Sequence, residues 1–145
     1  MKTPWTAFRL WRITLSVGLT LALCACAHSP VPPSCPSGAD LRADMLFGPW
    51  QVQLAGATSP LHLHLGPHPE HEGSLKGELR QGQQRHAVVA DLDEGEFTLE
   101  ESHDGVRIAA TWLGQPTPGH CGRLIQGQRF EKDQTGQAFR LQRQP

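Results

Sequence analysis

The feature that most constrains the fold is a two-residue alternation of apolar and polar side chains that begins at Trp50. Leu61, Leu63 and Leu65, for example, are separated by single histidines. Successive side chains of a β-strand point to opposite faces, so this period predicts strands with one buried face. Eight segments carry the pattern, the last two with blurred alternation: 50–54, 61–65, 75–80, 84–92, 97–100, 106–112, 121–130 and 137–143.

Turn-forming dipeptides separate these segments. They are Gln81–Gly82, Glu94–Gly95, Asp104–Gly105 and Thr135–Gly136, and glycine after a small or polar residue is typical of hairpin connections. Short connections without a crossover helix predict an all-β fold, a small eight-stranded up-and-down antiparallel barrel with a filled interior. A β-sandwich is the alternative.

Gly48 and Trp50 open the first predicted strand with the spacing G-x-W. This resembles the signature of lipocalin-like (calycin) barrels, in which the Trp closes one end of the barrel, commonly beneath an Arg from the final strand. The resemblance covers residues 46–143 and implies a calycin-like barrel, with Arg140 or Arg143 as that arginine. The chain departs from true lipocalins because it lacks a long first loop, a C-terminal helix and the length for a large cavity.

Among small barrels, the periplasmic inhibitors of alkaline metalloproteases are similar in combining export, one disulfide, a G-x-W motif and an eight-stranded barrel. Those proteins inhibit with an N-terminal arm that enters the protease cleft. Nothing in residues 27–46 matches that arm, so no inhibitory residue is assigned. The chain contains no Tyr and so departs from the Tyr-containing motifs of lipoprotein lysozyme inhibitors.

The N-terminus has the composition of an export signal. Lys2, Arg9 and Arg12 give it a positive start without any acidic residue. The mostly apolar run 13–25 follows, and its length of about 13 residues is short of the ~20 helical residues that span a bilayer. A run of this length is typical of a signal peptide, so residues 1–25 are predicted to be removed.

The sequence LCAC at 23–26 resembles a bacterial lipobox, which implies lipidation of Cys26. Cys24 is a competing acceptor, but the bulky Leu23 stands where a small residue is usual. Ala27 stands where lipoproteins of the inner membrane typically carry Asp, so the resemblance implies sorting to the outer membrane. We expect a permanent, palmitate-containing lipid anchor, with the domain facing the periplasm. A plain secretory signal or an uncleaved anchor is the alternative.

Three regions follow from these patterns. Residues 1–25 are the signal peptide, and residues 26–38 are the lipidated Cys with a Pro-rich tether. Prolines hold such a tether extended, and ten residues at ~3.1 Å each reach roughly 30 Å. Residues 39–145 form the barrel domain, in which 39–47 is predicted to begin with one or two helical turns.

Cys35 and Cys121 are the two thiols that remain once Cys24 is removed and Cys26 is acylated. An exported pair of this kind predicts one disulfide. It would close a loop of about 86 residues and stabilise the fold by about 4 kcal/mol, less any strain. Two free thiols or a metal-binding pair are the alternatives, although no C-x-x-C spacing supports a metal.

Charge argues against nucleic acid as a partner. The chain has 13 Lys and Arg against 14 Asp and Glu. Removal of the signal takes away Lys2, Arg9 and Arg12, which leaves 10 basic residues and a net charge of −4. No cluster of basic residues interrupts the sequence, whereas nucleic-acid binders carry a basic patch.

Four histidines lie within ten residues and are weak candidates for a metal site: His62, His64, His68 and His71. Imidazoles two residues apart on a strand share a face and can share Zn²⁺ or Cu²⁺. Because the intervening leucines take the core face, however, the first two histidines are predicted to face solvent. The sequence therefore predicts no resident metal and no cofactor.

No catalytic residue is predicted. Ser102 and His103 point to opposite faces of a strand, no serine lies in a G-x-S-x-G motif, and Cys121 beside His120 is assigned to the disulfide. The sequence predicts a non-enzymatic outer-membrane lipoprotein with a binding or structural role. Its expected partners are the membrane and an envelope protein, another envelope component or a small apolar ligand. An envelope protease or hydrolase inhibitor and a His-based metal-binding protein are the alternatives.

Overall fold

The computed structural model of the chain describes residues 35–36 and 38–145. The predicted signal peptide, the lipidation at Cys26 and most of the predicted tether lie outside the described residues. Two 3₁₀ helices come first, Gly38–Asp40 and Ala43–Leu46. They correspond to the one or two helical turns that were predicted for 39–47. No helix among the described residues is long and apolar enough to span a membrane. The strands are β1 (Gly48–Leu54), β2 (Leu61–Pro67), β3 (Leu75–Gln81), β4 (Gln84–Asp93), β5 (Glu96–Ser102), β6 (Ala110–Pro116), β7 (Leu124–Glu131) and β8 (Gln137–Arg143).

The eight strands form one closed antiparallel barrel in which each strand pairs with its neighbours in sequence. Closure comes from β8, which pairs with β1. Trp50 of β1 therefore lies opposite Leu63 on one side and Arg143 on the other. The predicted all-β, up-and-down barrel is confirmed, and the sandwich is excluded.

The interior is filled with apolar side chains from alternate positions of every strand. In β2 the three leucines are buried and His62 and His64 are exposed, as the alternation predicts. Larger side chains fill the centre, where the rings of Trp112 and Phe139 lie 5.0 Å apart between centroids. Trp112 belongs to β6 and Phe139 to β8, so side chains from strands that do not pair with each other pack together in the barrel interior.

A pair of glycines lets two strands approach Phe139 closely. Gly114 of β6 lies opposite Gly127 of β7 in the ladder. A Cβ atom on Gly114 would lie 2.7 Å from Cζ of Phe139, and one on Gly127 would lie 2.0 Å from the carbonyl oxygen of Leu113. Neither position has room for a side chain, which explains why the apolar alternation is interrupted in β6 and β7.

The sixth predicted strand is displaced. The prediction over 106–112 placed Val106 and Ile108 on the buried face, but they are 86% and 57% exposed and precede β6. Asp104 explains the error, because its Oδ1 accepts hydrogen bonds from the backbone N–H groups of Val106 and Arg107, at 2.9 and 2.8 Å. These bonds hold the chain in a loop, so the strand begins only at Ala110.

The chain before β1 covers one end of the barrel, which we call the closed end. Leu46 is fully buried there, and its carbonyl oxygen accepts a hydrogen bond of 2.9 Å from Nε1 of Trp50. Arg143 donates from its two terminal nitrogens to the carbonyl oxygens of Met45 and Phe47, at 2.7 Å each. Arg143, and not Arg140, is therefore the last-strand arginine at the tryptophan end.

The predicted disulfide between Cys35 and Cys121 is confirmed, and it also lies at the closed end. Cys121 belongs to the connection between β6 and β7, and the Cα atoms of the two cysteines are 4.6 Å apart. Farther along, the described segment passes Gly95, where a Cβ atom would lie 2.8 Å from Cα of Gly38. The N-terminal segment therefore joins the barrel at its closed end and is held there covalently.

Candidate functional site at the open end

The opposite end of the barrel, which we call the open end, is built from charged and polar side chains. It carries the connections β1–β2, β3–β4, β5–β6 and β7–β8. Its centre is Glu101 near the end of β5, only 1% exposed. Phe97, Leu99 and Glu101 occupy alternate buried positions of this strand, so the alternation itself turns the carboxylate inward.

One oxygen of the Glu101 carboxylate is fully engaged with protein donors. Its Oε2 accepts hydrogen bonds from Nε of Arg129 at 3.0 Å and from Nε1 of Trp112 at 3.1 Å. A terminal nitrogen of Arg129 also lies 2.9 Å from the same oxygen. Arg129 is 7% exposed, so the ion pair is buried. Such a pair fixes the carboxylate in one orientation.

Arg129 has little capacity left for another ligand. Its remaining terminal nitrogen donates to the carboxylate of Glu131 and lies 3.5 Å from Oε1 of Gln137. The guanidinium carbon lies 5.5 Å from the ring centroid of Trp112, its neighbour in the β6–β7 ladder. An anionic ligand would therefore have to compete with two carboxylates for this arginine.

The other oxygen of Glu101 faces two imidazoles. Nδ1 of His86 lies 2.7 Å from Oε1, and Nε2 of His103 lies 3.2 Å from the same atom. The two rings are 4.1 Å apart between centroids and tilted by 38°. The side chain of His86 is 16% exposed and that of His103 is 56% exposed, so this face of the cluster is open to solvent.

Burial by itself would raise the pKa of Glu101. The positive charge of Arg129 and the hydrogen bonds from His86, Arg129 and Trp112 outweigh that effect and hold the pKa below its ordinary value. Glu101 is therefore a carboxylate at neutral pH. It supplies a fixed negative charge beneath the two imidazoles.

A pocket of about 220 Å³ opens above this cluster. Leu54 and Leu61 contribute apolar side chains to its lining, and Gln137 and the exposed Gln84 contribute amides. Within residues 35–36 and 38–145, His86, Glu101 and His103 are the only group of three or more potential metal-ligating side chains whose donor atoms lie within 4.8 Å of one another. The arrangement offers two nitrogen atoms and one oxygen atom to a small cation.

The four histidines that the sequence brought forward lie elsewhere. His62 and His64 are on the outer wall of β2, exposed as predicted. His68 and His71 belong to the β2–β3 connection at the closed end, with rings 4.5 Å apart. Nδ1 of His68 accepts hydrogen bonds of 3.1 Å from the backbone N–H groups of Glu70 and His71, which is a turn-stabilising role.

The sequence contained a signal for the open-end cluster that the prediction did not use. Extending the buried face of β5 by two residues beyond Leu99 places Glu101 inward. The corresponding extension of β7 from Ile125 through Gly127 places Arg129 inward. Opposite charges on inward positions of two strands indicate a buried ion pair. The approach of His86 and His103 follows only from the barrel's register.

No protein-family model, curated protein or solved structure matches this chain. The resemblance to metalloprotease inhibitors stays a prediction.

Proposed function

We propose that this chain is an outer-membrane lipoprotein, anchored through Cys26, whose barrel is a non-enzymatic binding module that takes a small ligand at its open end. The observation that carries the proposal is the buried Glu101–Arg129 ion pair at the base of a pocket. Replacing a buried ion pair by apolar side chains is often neutral or stabilising, so closing a barrel end does not require one. Ionisable groups whose pKa is shifted by a specific charge partner, and which lie in a cleft, are typical of functional sites.

The N-terminal attachment supports the choice of end. Cys35 is bonded to Cys121 at the closed end, and Leu46 and Trp50 fill that end with apolar contacts. The described residues that precede β1 are attached at the closed end, and none of them lines the pocket at the open end. The open end is then available to whatever diffuses through the envelope.

The size and lining of the pocket restrict the ligand. A volume of about 220 Å³ is below the ~300 Å³ at which pockets for drug-sized molecules begin. Leu54 and Leu61 accommodate an apolar part, whereas Glu101 and the two imidazoles require a cationic or hydrogen-bonding group. The proposed ligand is therefore small and polar on one side, which differs from the small apolar ligand that was one of the partners expected from the sequence.

The proposal is tested by blocking the mouth of the pocket. Gln84→Trp places a large ring at an exposed position that lines the pocket, and Gln53→Trp places the same ring on the outer wall of β1 as the matched control. Native mass spectrometry of protein extracted from its own membranes is expected to show a bound species in wild type and Gln53→Trp that is lost in Gln84→Trp. A bound species retained by Gln84→Trp, or none in wild type, would contradict the proposal.

Anchoring has a separate test. Cys26→Ser is expected to abolish palmitate labelling and membrane fractionation, because it removes the acylated sulfur, while Cys24→Ser leaves both intact. The reason for the difference is Leu23, which stands where the residue before a lipobox cysteine is usually small. Labelling lost in the Cys24 variant and retained in the Cys26 variant would reverse the assignment.

A further inference from the structure

We propose that His86, Glu101 and His103 bind one transition-metal dication at the open end of the barrel. The inference rests on the proposed function and deepens it, because it names the chemical class of the ligand in that pocket. The cation would be one that prefers mixed nitrogen and oxygen ligands, with Zn²⁺ and Cu²⁺ as the leading examples.

The donor atoms already converge. Metal–ligand bonds of about 2.0–2.1 Å at a tetrahedral angle place ligand atoms roughly 3.3 Å apart. Nε2 of His103 is 3.2 Å from Oε1 of Glu101, which meets this spacing without movement. Nδ1 of His86 is 2.7 Å from the same oxygen, so it has to withdraw by roughly 0.6 Å.

The support behind the carboxylate is the kind that metal ligands have. A ligating carboxylate is usually held by hydrogen bonds on its other oxygen, which orients it. Here Arg129 and Trp112 hold Oε2 of Glu101, and Oε1 is left for the cation. The positive charge of Arg129 opposes a dication, but Glu131 pairs with the same guanidinium and offsets it. The ligands come from two neighbouring strands and the start of one loop.

The donor set also excludes other occupants. Ca²⁺ and Mg²⁺ prefer six or more oxygen ligands, and the trio supplies one oxygen atom and two nitrogen atoms. An anion meets an Arg129 whose three nitrogens already lie against Glu101, Glu131 and Gln137, so two carboxylates compete with it for this guanidinium. The alternative is that the two imidazoles only donate N–H hydrogen bonds to Glu101 and bind no metal. A titration with metal distinguishes between the two.

The experiment uses the full chain, purified in detergent without a polyhistidine tag and stripped with a chelator. Co²⁺ is the first probe because its visible absorption reports coordination, and Zn²⁺ is then titrated in competition. We expect one equivalent of Co²⁺ to bind with a dissociation constant of micromolar order or tighter, and Zn²⁺ to displace it. Binding should weaken at least tenfold in His103→Ala and in His86→Gln.

The matched control is His62→Ala combined with His64→Ala, which removes two exposed imidazoles from the outer wall and leaves the trio intact. This variant should bind as wild type does. With Cu²⁺ as the probe, electron paramagnetic resonance should show coupling to two imidazole nitrogens in wild type and to one in His103→Ala. Near-ultraviolet circular dichroism of the tryptophans checks that each variant is folded. His103 is the most informative position because its exposed side chain can be removed without opening the core.

Two results would overturn the inference: wild type that shows no saturable binding, or binding that persists in His103→Ala but is lost in the control. These results do not depend on the pocket-blocking experiment. A folded wild type that carries an organic ligand displaced by Gln84→Trp, and yet binds no metal, would overturn the metal site and leave the proposed function in place.

Discussion

The two ends of this barrel are built from different kinds of interaction. At the closed end, Trp50 and Leu46 pack together, and Arg143 donates to the backbone carbonyl oxygens of Met45 and Phe47. At the open end, Glu101 and Arg129 form a buried ion pair beneath a pocket. Apolar contacts stabilise with few geometric demands, whereas buried charges stabilise little and require exact partners. This difference underlies the proposed function, in which the closed end stabilises the fold and the open end is the proposed binding site.

The largest effect is expected at the closed end. Trp50→Ala should lower the free energy of unfolding by about 3–5 kcal/mol, the range for a large aromatic side chain removed from a core. Trp50→Phe is the control, since it keeps a ring but leaves the carbonyl oxygen of Leu46 without its donor. Urea denaturation measures both. A loss below about 1 kcal/mol for Trp50→Ala would show that apolar packing around Trp50 does not stabilise the closed end.

The disulfide should contribute nearly as much. Replacing Cys35 and Cys121 by Ser should cost about 4 kcal/mol in the chain-entropy description, less any strain that is relieved. Thermal unfolding with and without a reductant checks this on the unmodified protein, and the double variant should then be insensitive to the reductant. Unfolding of wild type that reductant leaves unchanged would show that the closed end does not depend on its covalent bond.

At the open end the size of the loss in stability should depend on whether one charge or both are removed. Arg129→Met should cost about 3 kcal/mol, because Glu101 is left buried without its cation. Adding Glu101→Gln should recover most of that loss, since no buried charge remains. Chemical denaturation of the two variants decides the matter. An equal loss in both would mean that the pair contributes stability as the tryptophan end does.

The outer wall should show the smallest effect and sets the baseline for both ends. His62→Ala with His64→Ala should change the free energy of unfolding by under ~1 kcal/mol, as surface substitutions usually do. Denaturation in the absence of metal is the measurement. A larger change would show that side chains on the outer wall of β2 also contribute to stability.

The sequence predicted the fold well because its strongest signal is local. Side-chain alternation and turn dipeptides act over a few residues, and they located seven of the eight strands to within a few positions. The sixth strand was misplaced because Val106 and Ile108 continue the alternation into a loop that Asp104 holds by backbone hydrogen bonds. Apolar alternation does not distinguish a strand from an exposed loop with the same spacing.

The candidate site was largely missed because its members are distant in sequence. His86, Glu101 and Arg129 belong to β4, β5 and β7, and only closure of the barrel places their side chains at one end. The histidines that are close in sequence, such as His62 and His64, attracted the metal hypothesis instead. Proximity in sequence indicates a shared strand face, whereas a site inside a barrel depends on the register between strands.

The bond between Cys35 and Cys121 also decides how a mechanical load enters the barrel. A pull on the chain preceding Cys35 passes through the sulfur atoms into the connection between β6 and β7. The bond therefore provides a path that bypasses residues 36–47, and it protects β1 from being peeled from β2 and β8 by the chain that precedes it. Reduction of the bond would transfer the same force to the N-terminal end of β1. The hydrogen bonds of its ladder would then break one after another.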